Sequence, residues 1–428
     1  YIKEYENRHA LNGFRESSHY YVGKMDIWHG FACLLMDMLR QQGILAFIAQ
    51  NNWTTNEGAK KMRAKVIEDA RILQLIDFND YMVFEDSASI QTMIMIFSRD
   101  STTNNYTLDF RKLSPSSKKQ DMLNLLAKRG EHTYLTPLFN RELYKGLYIT
   151  FSPNENILSK IALQPNRLIE KEATNGIHPH YDFVTKKIHK KHPSTVVGEG
   201  IFGLSTQEKN LLKLSKTELD ILKPYYTTAQ VKRYYTNPKN ELWIIYTGSQ
   251  FKNPELMNPY PNIKRHLDRF NGIITSDNKP YGLHRARQEA FFKGEKIAVL
   301  RKCVGRPSFS YSDFDCYLSA TFYIIQTTRW NMKFLTGVLN SNLIKFWLFY
   351  KGKMQGENFQ IDKEPLLNIP LPSTKCEQKE ITKVIDKILE TKKVSPEADT
   401  SSLEGEIDNL VYKLYGLTDD EIAIVENS

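Results

Sequence analysis

MDIWHGFACLLMDMLRQQGILAFIAQNNW, residues 25–53, changes its hydrophobic pattern halfway along. Ile27, Phe31, Leu34, Leu35, Met38 and Leu39 recur at helical spacing, and Gly43 stands where a helix C-cap belongs. GILAFIAQ (43–50) is a short apolar run bounded by turn residues, which is the pattern of a buried strand. The spacing predicts a helix with those six residues on its inner face, leading into a strand.

The next elements extend this pair. Glu57 to Ala70 reads as a polar-faced helix with Met62, Val66 and Ile67 inside, and ILQLIDF (72–78) and SIQTMIMIF (89–97) read as two more strands. Helix, strand, helix, strand, strand suits one half of a doubly wound sheet finished by a hairpin. GILAFIAQ is too apolar for a solvent-facing edge, so further strands are expected to precede it. No glycine-rich turn follows a strand within residues 1–100, so the usual nucleotide-phosphate cradle is not found there.

Beyond residue 100 the composition changes. Residues 101–135 are polar and read as a linker around a short helix, KQDMLNLLAKRG. Residues 136–375 are rich in Tyr, Phe and Lys. They hold strand-like runs such as LWIIYT (242–247), KIAVLRK (296–302) and YLSATFYIIQ (317–326), then a helix over 334–352 and a proline-closed LLNIPLP (366–372). Residues 376–428 read as a helical tail of two helices, the second ended by Gly416.

The 428 residues allow two or three domains. The net charge of +9 is unevenly spread. Residues 1–100 carry 11 basic and 13 acidic side chains, residues 376–428 carry 6 and 13, and the middle carries 41 and 23. A block of +18 between acidic flanks is what a polyanion-binding module needs, although a merely soluble basic domain has the same signature. Four scattered cysteines (Cys33, Cys303, Cys316, Cys376) form no CxxC pair, which fits a reducing, cytoplasmic setting. No apolar run approaches the length of a membrane span, and no membrane partner is expected. His178-Pro-His180 has metal-ligand residue types without a third partner at a known spacing, so no metal is expected.

Several segments, taken in order, resemble one family. YIKEYENR at the amino terminus is similar to the continuation of the Asn-Pro-Pro-Tyr motif of N6-adenine DNA methyltransferases. DIWHGFACLLMDMLRQQGILAFIAQNNW and VFEDSASIQTMIMIF resemble later parts of the catalytic domain in the TaqI-like (gamma-class) branch. GEGIFGLSTQE, LKPYYTTAQVKRYY, PNIKRHLDRF, KIAVLRKCVGRPSFSYSDFDCYLSATFYII and LTGVLNSNLIKFWLFYKGK resemble its target-recognition domain. EIDNLVYKLYGLTDDEIAIVE resembles the carboxy-terminal helix of type IIG restriction–modification enzymes.

The resemblance implies a fold and a task. The expected architecture is an α/β partial Rossmann-like methyltransferase domain (1–100), a linker (101–135), an α+β target-recognition domain (136–375) and a helical tail (376–428). The implied function is site-specific methylation of adenine N6 in double-stranded DNA, with the parent enzyme possibly fused to an endonuclease. Such enzymes flip the adenine out of the duplex, because the methyl donor cannot reach N6 inside the stack. Tyr1 matches the motif's aromatic residue and Phe84 the later one, so both are expected to contact the flipped base.

The motif's Asn and prolines would precede residue 1. The chain as given is therefore expected to be inactive alone and to hold no S-adenosyl-L-methionine, the cofactor of the full-length parent. A monomer is expected. The alternative is a non-catalytic nucleic-acid-binding or phage-defence scaffold on a degenerate methyltransferase fold.

Candidate DNA-binding residues lie in the basic block. Lys232, Arg233 and Tyr234, followed by Tyr235, and Lys264 and Arg265, followed by His266, combine cations with aromatics as phosphate clamps and stacking platforms do. Arg285 and Arg287 are candidates for two-pronged contacts to guanine edges. Arg301, Lys302 and Arg306 are expected on a loop after a strand.

Overall fold

Both halves of the 25–53 stretch take the conformations expected of them. Helix α1 (Ile27–Met38) leads into strand β1 (Ile44–Gln50) in the computed structural model, which describes residues 19–22, 25–84, 90–145, 148–355 and 358–428. Helix α2 (Lys60–Asp69) buries Met62, Val66 and Ile67, as its spacing requires. Strands β2 (Ala70–Asp77) and β3 (Thr92–Arg99) follow.

The order within the sheet is β1-β3-β2, continued by β5 (Asp109–Lys112) and β6 (Thr133–Leu135). β3 is antiparallel to both of its neighbours, from Ile44↔Ser98 to Gln50↔Thr92 on one side and from Ala70↔Arg99 to Asp77↔Met93 on the other. β1 and β2 therefore run in the same direction with an inverted strand between them. The expected antiparallel β2–β3 pair is present, but β3 enters the interior of the sheet rather than closing its edge. Among the described residues β1 pairs on one side only.

Two expectations are corrected here. α1 buries His29, Gly30, Ala32, Cys33 and Met36, while Ile27, Phe31, Leu34, Leu35 and Met38 are exposed. The helix is apolar on nearly every side, so periodicity carries little contrast. Its seating follows small residues, which allow close approach, and the ion pair of Asp37 with Lys65 of α2 at 2.6 Å. Residues 101–135, read as a linker, supply β4 (Asn105–Thr107), β5, helix α3 (Lys119–Leu126) and β6. β5 pairs in parallel with β2, and buried Phe110 joins the same core as Trp53, Leu75 and Phe97.

The chain divides into two compact units, Tyr1–Leu163 with Phe349–Lys353, and Gln164–Leu348 with Met354–Ser428. Among the described residues the second holds three sheets. One has the order β11 (Tyr234–Tyr235), β15 (Phe309–Ser312), β13 (Lys296–Leu300), β17 (Phe322–Ile325) and β8 (Ala173–Asn175). Another has β16 (Tyr317–Leu318), β10 (Leu222–Tyr226), β12 (Leu242–Ile245) and β9 (Gly203–Ser205). The third has β14 (Lys302–Val304), β19 (Asn358–Gln360) and β18 (Lys353–Gln355).

The run YLSATFYIIQ is thus two strands in two sheets. Tyr317 and Leu318 pair with Tyr225 and Tyr226, while Phe322 to Leu300 begins the pairing with β13. A shared core of Phe202, Leu204, Tyr225, Phe292, Tyr317 and Ile324 fills the unit. Gly176 is required at its centre, because a Cβ there would lie 2.0 Å from the Ser319 carbonyl oxygen.

The expected helix over 334–352 is two helices, Met332–Asn340 and Asn342–Lys351, broken at Ser341. The tail forms α4 (Lys379–Val394), α5 (Ser401–Tyr415) and α6 (Asp419–Glu426), and Gly416 ends α5 in the left-handed conformation at φ 69°. These helices pack into the second unit instead of trailing from it: Ile381 and Ile385 touch the Gly337 position, and Lys333 pairs with Asp386 at 2.6 Å.

Candidate nucleic-acid interface

Positive charge in the second unit is sorted by the carboxylates within reach. Arg233 donates to Glu404 of α5 and to the Asn340 carbonyl, and its guanidinium lies 4.4 Å over the Tyr234 ring. Arg306 reaches the same Asn340 carbonyl and Asn342 Oδ1, with Glu404 4.0 Å away. Tyr234 is buried, with φ at 68°, so its ring has no free face for a base. Arg233, Tyr234 and Arg306 form a cluster that fastens α5, in place of the clamp and stacking roles expected of Arg233 and Tyr234 and the loop-borne DNA contact expected of Arg306. Burial pushes the Arg306 guanidinium below its ordinary pKa, and neighbouring Arg233 adds to this.

Lys264 is tied to Asp268 at 2.7 Å, one turn along the helix Pro261–Asp268. His266 is buried, with a ring nitrogen 2.9 Å from the Ile201 carbonyl, and burial pushes its pKa down. Only Arg265 of that trio is exposed, 3.4 Å from Asn262 Oδ1. Lys232 is exposed and makes no ion pair among the described residues.

The remaining cations come together. Arg285 is exposed, and its backbone pairs with His178 in an isolated bridge, which sets HPHY beside LHRAR. Arg287, at φ 72°, donates to the Gly176 carbonyl at 3.4 Å. Its guanidinium is pushed below the usual arginine range, first by burial and then by Arg285, with Arg301 adding to the effect. Arg301 lies 5.1 Å over the Tyr323 ring and bonds Asp362 at 3.3 Å. Lys302, exposed at the start of β14, follows directly. Arg285, Arg287 and Arg301 thus form one basic cluster, extended along the chain by Lys302, with part of its charge unneutralised, as a phosphate-binding face requires.

His284, which sequence reasoning missed, joins His178 and His180 against this surface. The ring of His284 is 5.3 Å from those of His178 and His180, and His180 stacks on Tyr181 at 4.4 Å. His284 is held below its ordinary pKa by burial, then by Arg285, His178 and His180. About a hundred residues separate HPH from His284, and no local signal joins them. Among the described residues no group of three His, Cys, Asp or Glu side chains has metal-binding geometry.

In the first unit, the parallel strands β1 and β2 open at their carboxyl ends onto one edge of the sheet, where ligands of such sheets bind. Asn51, just past β1, donates to Asp77 Oδ1 at the end of β2 at 2.9 Å. Trp53 beyond it is fully buried against Phe97, so it packs rather than lining a pocket. Phe84, on the segment leaving β2, is 46% exposed, which leaves its ring accessible. Tyr1 lies outside the described residues. No helix among the described residues is long and apolar enough to cross a membrane.

Residues 1–84 match the family model of the Eco57I restriction-modification methylase, and residues 223–371 match the TaqI-like C-terminal specificity domain. The Type II methyltransferase M.BstVI of Geobacillus stearothermophilus is 20% identical, with 100% of this chain and 72% of that protein covered. M.HindII of Haemophilus influenzae, also a Type II methyltransferase, is 22% identical, with 86% and 73% covered. Among solved structures, the Type IIL restriction-modification enzyme MmeI in complex with DNA shares the fold, with a TM-score of 0.55 at 13% identity. That similarity covers 96% of this chain and 53% of MmeI, so the chain spans about half of that enzyme's length.

Proposed function

Starting from a chain related to the TaqI-like restriction–modification methyltransferases, we propose that it selects the DNA site at which adenine N6 is methylated and helps to hold the flipped base. The observation that carries this reading is positional. The basic surface of Arg285, Arg287, Arg301 and Lys302 falls within the residues that match the specificity domain, and exposed Phe84 closes the methylase match. Double-stranded DNA is the partner, with phosphates held by the arginines through charge and counterion release.

Phe84 has a specific task in this proposal. The exocyclic amine of adenine is a poor nucleophile, since its lone pair is delocalised into the ring, and the base must leave the stack to meet a methyl donor. An accessible aromatic ring at the carboxyl-end edge of the sheet stacks on or edges the extruded base. Tyr1 is proposed as the second aromatic.

The methyl donor of the reaction that this chain is proposed to serve is S-adenosyl-L-methionine. The described residues do not fit its binding site: the turns that follow β1 (Asn51–Thr54) and β2 (Phe78–Tyr81) hold no glycine at which backbone amides could approach it closely. No step is derived through it. The 428-residue chain is proposed to bind DNA without methylating it, and calorimetry showing micromolar S-adenosyl-L-methionine binding would overturn that part.

The DNA reading is tested by gel shift on a duplex pool across a salt series. Affinity is expected to fall steeply and log-linearly with salt. Binding without salt dependence, or no binding to any duplex, would overturn it.

A further inference from the structure

The small sheet beyond Arg301 has one face that nothing in the fold explains. β14 and β19 pair antiparallel as Lys302↔Gln360, Cys303↔Phe359 and Val304↔Asn358. Side chains alternate across a strand, and here the alternation is complete. Cys303 and Phe359 are buried on one face, while Lys302, Val304 and Asn358 are exposed on the other. Val304 is 86% exposed, and Gln355 of β18 is exposed as well. These side chains, with Cys303, Phe359 and Gln360, line a concavity of about 440 Å³.

The ribbon is anchored at its base and uncommitted along its outer face. The Ile361 amide donates to the Arg301 carbonyl at 2.8 Å, and Asp362 receives both Arg301 and the Gln360 amide, the latter at 2.9 Å. By contrast, the side chains of Lys302, Asn358 and Gln355 make no hydrogen bond among the described residues. Two amides, one ammonium and one exposed β-branched methyl pair, uncommitted among the described residues, thus stand together on this small three-stranded sheet.

Resting on the DNA-recognition reading above, we propose that this outward face enters the major groove and reads base edges. β14 and β19 form an antiparallel pair, the kind of ribbon that groove admits, with β18 beside β19. An amide offers a donor and an acceptor side by side, which matches N7 and the N6 amine of adenine. A bare branched methyl meets the C5 methyl of thymine, and an ammonium meets phosphate or the acceptor edge of guanine. Asn358 and Gln355 are assigned as adenine readers, Val304 as a thymine contact, and Lys302 as the cation that sets the ribbon's depth in the groove.

The test is selection of binding sites from a randomised duplex pool by the full chain, followed by affinities for single-base variants of the selected site. Asn358→Ala, Gln355→Ala and Val304→Ser are each expected to cut discrimination at one base pair roughly tenfold, leaving the other positions and the melting temperature unchanged. Asn358→Asp is expected to change the preference at its position from adenine to cytosine, because a carboxylate accepts from the cytosine amine. Folded variants that keep the parent preference at every position would overturn the inference while sparing DNA recognition by this chain. A parent chain that binds no duplex would overturn both.

Discussion

Replacing Asp408 by Asn is expected to stabilise the second unit at neutral pH, and the size of the effect follows from the site. Asp408 is 6% exposed on α5 and accepts a hydrogen bond from the Asn342 amide at 2.6 Å. Burial raises its pKa from 3.8 to about 6. The Asn342 bond and the charges of Arg306 and Arg233 pull the other way, and Glu426 reinforces the rise. A folded-state pKa above the unfolded one means that the folded state holds its proton more tightly. Stability is therefore highest below about pH 4 and falls as pH rises through 6. A rise of about two units corresponds to about 3 kcal/mol of ionisation cost at pH 8.

Asn keeps the shape and can accept the same amide hydrogen, but it carries no charge to desolvate. Asp408→Asn should therefore melt several degrees above the parent at pH 8, at about 2–4 °C per kcal/mol, and converge with it near pH 4. The assay is thermal melting of both proteins from pH 4 to pH 8, read as their difference so that other titrating groups cancel. A variant that melts lower at pH 8, or by the same margin at every pH, would refute the assignment of the cost to buried Asp408.

Arg233→Ala should lower stability by ~2–3 kcal/mol, since it leaves Glu404 mostly buried without its partner, and the salt slope of DNA binding should stay unchanged. A reduced slope with an unchanged melting temperature would restore Arg233 as a phosphate contact. Arg285→Ala should do the reverse, reducing the salt slope by about one with no loss of stability, and a gel-shift series at four or five salt concentrations reads it. Thiol titration of the native chain should find one accessible cysteine, Cys376, and four after unfolding, because Cys33, Cys303 and Cys316 are buried. Burial pushes the Cys33 thiol up to about 12 and Cys303 up to about 11; fast labelling of either at pH 8 would contradict that packing.

Strong local patterns were legible in the sequence, and contacts between distant segments were not. β1, β2 and β3 lie within three residues of the apolar runs that announced them, because each is long enough for its hydrophobicity to stand out. The strands of 105–112 escaped, since three or four residues give no readable period, and Phe110 is a single buried ring between Asp109 and Arg111. The face of α1 was read from its largest side chains. What decided it was the reverse, small residues against α2 and a charge pair 28 residues apart in sequence.

The charge pattern needs the same correction. The acidic tail and the basic middle looked like neighbours along the chain with separate tasks, yet part of their opposite charge is spent on each other. Asp386 takes Lys333, Glu404 takes Arg233 and approaches Arg306, and Asp408 sits within the field of both arginines. The tail thus neutralises those cations whose partners lie within reach of α4 and α5. Among the described residues it leaves Arg285 and Lys302, on the opposite sequence flanks of β13, without a carboxylate partner, as it does Lys232 and Arg265. A polyanion bound to this unit meets the positive charge that these pairs leave over, so the salt slope should report fewer phosphates than an excess of +18 would suggest.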